Sequence, residues 1–531
     1  MRKREISKIL AIIPVLALLL TGCSENGVSS QDAADSVSAN GAIESVELQG
    51  DAKVSNTYEG GSYEDSTDGG HAITVDAEAA KYSNATVTKT GNSEGDEADF
   101  YGDNSAVFAL NGAELTLSDM DITTAGEHAN AVFSYGEGTT VNISDSTINT
   151  SGNCSGGIMT TGGGTTNANN LRIHTTGNSS AAIRSDRGGG KVTVKEGDYT
   201  TDGKGSPAVY CTADITISDA SLTSTASEGI IVEGKNSVTL NNVILNADHN
   251  QHNSDNSDNF QGIMIYQSMS GDADTGLAKF SATGGSITNA NGDVLFVNNT
   301  ATDILLSGVD IINNGDGAFL RAAAAGWGNE GSNGGKVNLS AASQTINGDI
   351  VVDDVSVLNL YLSDNSTFTG AINTDGAAGD VYVELSGESK WVLTGDSYIS
   401  SLTCSENSIE LNGYTLTVGD EVYAEGTESK GEAIEIKVEE GGMMPSDGKM
   451  QPPDGEADGE GGPDGNGGPD GNGGPDGNGG PGGNGGPDGN GGPGGEGGPD
   501  GNGGAGGNGE PPEKPDGDMA PAGDNPPAKP E

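Results

Sequence analysis

SAVFALNGAELTLSDMDITT (105–124) and NAVFSYGEGTTVNISDSTINT (130–150) follow one grammar. Each opens on a small residue and a branched apolar one, varies at the third position and turns on Asn or Gly. Each then alternates apolar with polar and closes on one apolar residue before Thr or Asn. SAAIRSDRGGGKVTVKEGDYTT (180–201) and SPAVYCTADITISDASLTS (206–224) obey the same rule. With the small residue as origin, the units start at Ala106, Ala131, Gly157, Ala182, Ala208, Gly229, Gly262, Asp293 and Ala318. Their spacings are 25, 26, 25, 26, 21, 33, 31 and 25. A period near 25 residues with three short strands per unit predicts an all-β parallel solenoid, because no unit can bury its own apolar face and the units must stack.

Period-two alternation assigns the inward side chains. In the second strand they are Leu115/Leu117, Val141/Ile143, Val192/Val194, Ile215/Ile217, Val238/Leu240, Ile304/Leu306 and Val337/Leu339. The third strand contributes Ile122, Ile148, Tyr199, Leu222, Ile287 and Ile311. In the first strand, one column (Val107, Val132, Ile158, Ile183, Val209) is aliphatic, and the next reads Phe108, Phe133, Met159, Arg184, Tyr210. Arginine cannot enter an apolar core unpaired, so the aliphatic column is expected inside. The second column is then expected outside, as an exposed aromatic stripe suited to binding. Weaker copies at 85–90, 350–369, 381–393 and 409–418 extend the solenoid to about 42–423, a rod on the order of 70 Å long.

The flanks differ in composition. Arg2, Lys3, Arg4 and Lys8 precede ILAIIPVLALLL (9–20), an apolar run too short to span a bilayer and typical of a signal peptide. It ends in LTGC (20–23), which resembles a bacterial lipobox; the resemblance implies cleavage after residue 22 and lipidation of Cys23. Residues 23–41 read as a linker. Residues 424–531 read as a disordered acidic tail whose GGPDGN-type hexapeptides lack the apolar residue per turn that a β-helix needs. The net charge of −55 disfavours nucleic acid and anionic lipid as partners. Three cysteines beyond Cys23 cannot form a disulfide framework. Cys154 and Cys211 lie two coils apart, about 9.6 Å, too far to bridge. A monomer is the expected state.

The repeat, together with SDRGGG (185–190) and LTGDSYISSLTCSENSIELNGYTLTV (393–418), resembles the single-stranded right-handed parallel β-helix proteins. These include pectate-lyase-like enzymes, autotransporter-passenger adhesins and sugar-binding surface lipoproteins of Gram-positive bacteria. The resemblance implies a rod with about 25 residues per coil, anchored by lipid on the extracellular face of the bacterial membrane. It also implies extracellular polysaccharide or a host or cell surface as the partner, with adhesion, a passive stalk and a pectate-lyase-like activity as open alternatives. A polygalacturonase arrangement does not fit, since Asn373-Thr374-Asp375 follows Asp353-Asp354 and neither GHG nor RIK occurs.

The candidate carbohydrate contacts are Phe108, Phe133, Arg184, Asp186, Arg187, Tyr210 and Trp327. Arginine is rare in this acidic chain, so Arg184 and Arg187 suit an anion, while SDRGGG equally suits a tight turn. Trp327, on a Gly-rich excursion, suits either a pyranose face or a lid on the solenoid. Asp248, Asp255 and Asp258 in ADHNQHNSDNSDNFQ (247–261) are candidate ligands for Ca²⁺, a hard cation that prefers oxygen, and the alternative is a plain polar loop.

Overall fold

The computed structural model describes residues 55–95, 97–376, 378–439 and 441. The leader, Cys23, the linker, residues 42–54 and the hexapeptide tail lie outside the described residues. The described chain is all-β apart from the short helix α1, Glu97–Tyr101. Its strands pair in parallel with their counterparts one coil on. First strands form an 11-stranded sheet running from Ile73–Asp76 to Ile350–Val352, and most second and third strands share a 23-stranded sheet. Second and third strands merge where Gly164–Thr175 and Gly190–Thr201 run through the corner as single 12-residue strands.

Three features of the sequence make each corner. Between second and third strands a residue adopts a left-handed conformation, in turn Asp119, Asp145, Asn170, Glu196, Asp219 and Asn242 (φ 51–60°). Asp and Asn tolerate that conformation best among residues with a Cβ. The corner after the third strand carries a glycine stack, Gly91, Gly126, Gly152, Gly177 and Gly203. A Cβ on any of these meets the carbonyl oxygen of the residue one coil back at 1.8–1.9 Å. Beside it Thr150, Thr175 and Thr201 donate to the carbonyls of Ser155, Ser180 and Ser206 at 2.5–2.6 Å, so these three buried hydroxyls are paired.

The inward columns are as the alternation predicts. Every second-strand residue named above is at most 3 % exposed, and the third-strand residues are buried except Ile311, which packs half-buried against the core. One register differs. Ile263 pairs with Leu295 and Leu295 with Leu320, so the first strands of the eighth and ninth units are displaced by one residue from the spacing read off Asp293 and Ala318. The equivalents of those origins are Val294 and Phe319. The run VLFV (294–297) is apolar in both phases, so alternation could not choose between them.

The first-strand sheet has no exposed stripe. The aliphatic column joins the solenoid core, and Phe108, Phe133, Met159, Arg184 and Tyr210 on the other face are also buried. Excursions from the coils cover them. Helix α1 and Tyr101 close over Phe108, Leu110, Phe133, Tyr135 and Met159. Segment 323–335 closes over Tyr210, Ile231, Met264, Tyr266 and Phe296, and segment 267–275 meets the same face through Ser268, which donates to Glu233, and Asp272, which pairs with Arg187. At the far end, Thr403 and Cys404 pair antiparallel with Lys430 and Ser429. The chain then runs back along the 23-stranded sheet: Ile434 exchanges backbone hydrogen bonds with the Asn359 side chain, and Gly441 bridges Thr275. Residues 424–439, assigned by composition to the tail, are thus attached to the solenoid as a strap.

Candidate functional site

The two arginines of RSDRGGG (184–190) are consumed internally. Gly188, Gly189 and Gly190 all have positive φ (78°, 55° and 147°), which accounts for the glycine run as a tight turn. Arg184 donates to Asp186 Oδ2 at 2.9 Å and lies 3.2 Å from Asp99 Oδ2, a carboxylate delivered by α1. Arg187 reaches over the Phe100 ring (3.8 Å) to Asp272 Oδ1 (2.9 Å). One guanidinium thus faces two buried carboxylates. Burial acts to raise Asp99, but Arg184, His128 and Asn130 outweigh it and hold the group below its ordinary range. Asp186 is pushed up to about 8, by burial first and then by Asp272 and Asp99, against the pull of Arg184. The nest therefore keeps one proton that an isolated carboxylate would have released.

The other named residues are distributed as follows. Tyr210 donates 2.5 Å to Glu233 Oε2, to which Tyr266 also donates, at 3.0 Å, and Ser268 donates to Oε1. Burial raises Glu233 despite these donors. Trp327 is buried edge-to-face on Tyr266, with centroids 5.3 Å apart, and acts as the lid. Asp248 accepts from Asn291, while Asp255 and Asp258 are exposed. Among the described residues, the side chains whose possible ligand atoms converge are Asp99, His128 and Cys154, not the three aspartates. His252 stacks on Phe260 at 4.1 Å. Cys154, Cys211 and Cys404 are buried and are not bridged to one another.

The open surface lies on the other side of the coil. The outward column of the second strand runs Lys191, Asp214, Ser237, Lys279, Asp303, Asn338, Asn359, one residue per coil in register. The next outward column includes Thr216, Thr239, Ser281, Leu305, Ser340 and Tyr361. Four hollows adjoin along these columns. The first, about 330 Å³, lies against Gly188–Gly190, Asp214 and Lys235. The second, about 690 Å³, shares Asp214 and Lys235 with it and reaches Lys279. The third, about 560 Å³, shares Thr275, Gly276 and Gly441 with the second and is walled by the strap residues Lys437 and Glu439. The fourth, about 390 Å³, starts at Lys279 and passes Asp303 and Asn338 to Tyr361.

This groove offers amide, hydroxyl, ammonium and carboxylate groups at the coil repeat of about 4.8 Å. Several are already paired: Asn338 donates to Asp303 and Asn359 to Asn338, both at 2.9 Å, and Lys235 pairs with Asp274 at 2.7 Å. Tyr361 is half-buried and edge-to-face with Tyr382 (5.9 Å), which leaves ring surface for stacking. Apart from the Gly188–Gly190 run, its residues did not stand out in the sequence, because outward Asn, Thr and Ser on a strand look like ordinary solvated positions. The return of the strap, which turns a flat face into a groove, has no local signal. A scan against protein-family models matches none, and a search of curated proteins finds no relative of this chain.

Proposed function

We propose that the chain is a right-handed parallel β-helix, held at the extracellular face of a bacterial membrane by lipid on Cys23, that binds an extended polysaccharide along the 188–361 groove without catalysis. Right-handedness follows from the strong bias of parallel β-crossover connections. The observation that carries the binding reading is the string of adjoining polar hollows across successive coils. An extended polymer meets such a surface as a series of near-equivalent sites, while a small ligand needs one enclosed pocket. The groove's lysines stand among carboxylates on a chain of net charge −55, so a hydroxyl-rich, weakly charged polymer fits better than a polyanion.

The test uses lipid-free protein from residue 24 onward, sedimented with insoluble polysaccharides in the presence and absence of Ca²⁺. Retention on at least one of them is expected, and Tyr361→Ala or Asn338→Ala should weaken it about tenfold with little change in Tm. Tyr58→Ala, at an exposed ring away from the groove, should bind as wild type. A passive stalk would be retained by none, and groove variants that bind like wild type would also end this reading. Anchoring is tested separately: Cys23→Ala should release the protein into the medium or block its processing, and unchanged membrane association overturns the lipid anchor.

A further inference from the structure

The buried nest beneath α1 contains a second constellation. His128 and Cys154 occupy the same corner of consecutive coils, both left-handed (φ 53° and 54°), with backbone amides bonded to Asn153 and Asn178 of the next coil. The following coils fill that corner with Ser179 and Gly205. The corner therefore demands only tolerance of positive φ, and neither an imidazole nor a thiol is needed to turn the chain. Helix α1 delivers Asp99 to the same place: its Oδ2 is 3.3 Å from His128 Nδ1, and a possible ligand atom of Cys154 lies within 4.8 Å of both partners. All three residues are at most 5 % exposed. Asn130 Nδ2 donates to Asp99 Oδ1 at 3.1 Å and Arg184 lies 3.2 Å from Oδ2, an outer layer of the kind that orients ligating carboxylates.

We propose that Asp99, His128 and Cys154 form a binding site for a zinc-class transition-metal ion that fastens α1 to the solenoid. One sulfur, one nitrogen and one oxygen donor match Zn²⁺ or Co²⁺ and not Ca²⁺ or Mg²⁺, which require oxygen. Charge agrees. Within the ligand set a divalent ion, a Cys154 thiolate, an ionised Asp99 and a neutral His128 sum to zero, which a dry pocket tolerates. The ion would join three segments far apart in sequence, so binding should stabilise the fold by linkage.

Metal-stripped, lipid-free protein is titrated with Co²⁺ and followed by absorbance and thermal melting. The expected result is saturation at one equivalent, a thiolate-to-cobalt charge-transfer band and a raised Tm. Cys154→Ser should remove the band, Cys211→Ser should leave it, and Asp99→Asn should weaken binding about tenfold or more. X-ray absorption on zinc-loaded wild type, which needs no variant to fold, should give one sulfur with nitrogen and oxygen neighbours. Absence of the thiolate band at stoichiometric cobalt, its survival in Cys154→Ser, or a zinc shell without sulfur would each overturn the site and leave the nest as an ion-pair cluster alone.

Discussion

Arg184 shows how a single side chain is decided by what reaches it. On an exposed strand it would be a binding residue; with Asp186 two positions on and Asp99 folded over it, it is the centre of a buried network. That network titrates. The Asp186 carboxyl, ordinarily near 3.8, sits at about 8 in the folded chain. The native state therefore holds a proton that the unfolded state has lost, and stability falls as pH rises from about 4 to about 8. The slope reaches at most about 1.4 kcal/mol per pH unit. Asp186→Asn removes that proton while keeping an acceptor for Arg184. Urea midpoints measured from pH 4 to pH 9 should decline for wild type and be flatter in the variant; parallel curves would show that Asp186 is ionised throughout.

At the scale of the coil, repeat regularity comes from corners as much as from strands. The glycine stack admits no Cβ: Gly152→Ala places a methyl 1.8 Å from Gly126 O, inside any allowed contact. Backbone must shift in two coils, so the expected loss is roughly 1–3 kcal/mol or more, read as a lowered denaturation midpoint. Alanine at Gly136, whose Cβ position has nothing within 4 Å but whose φ is +88°, isolates the penalty of backbone strain alone. Elements with alternating Val, Ile and Leu were legible in sequence. The strand Gly164–Thr175 was harder, because its inward residues include Thr166 and Ala168, and Thr166 is satisfied by Thr160 Oγ1 at 2.7 Å. Helix α1 left no periodicity to read in five residues. Its trace was a polar insert with Phe100-Tyr101 in a coil longer than 25 residues.

For the whole molecule, a solenoid is held by nearest-neighbour interfaces, so damage stays local. The strap is the exception, since residues 429–439 run back across several coils and, with Gly441, tie Thr403 to Asn359 and Thr275. Asn359→Ala removes both of its hydrogen bonds to Ile434, worth about 1–3 kcal/mol. Limited proteolysis should then cut within 431–441 faster than in wild type while the coils remain resistant. Cleavage spreading through the coils would mean that the strap holds the rod together as a whole. A released strap would also open the hollow walled by Lys437 and Glu439, so the same variant should alter polysaccharide retention.

Sequence alone determined the parallel, three-strand coil, its period and its inward columns, because alternation and left-handed corner residues are local properties that repeat. It left two phases open for VLFV at 294–297, where both faces of the strand are apolar. Only the tertiary structure decided what becomes of the outward face of the first strand. That face is apolar and aromatic in either outcome, and whether it binds a ligand or a loop depends on excursions that return from elsewhere in the chain. Asp99, Asp272 and Trp327 reach it from positions far from Arg184 in sequence, and no local pattern records where such excursions land. The groove was hidden for the same reason: its floor is ordinary outward Asn, Ser and Lys, and its wall is a strap that comes back from beyond the last coil.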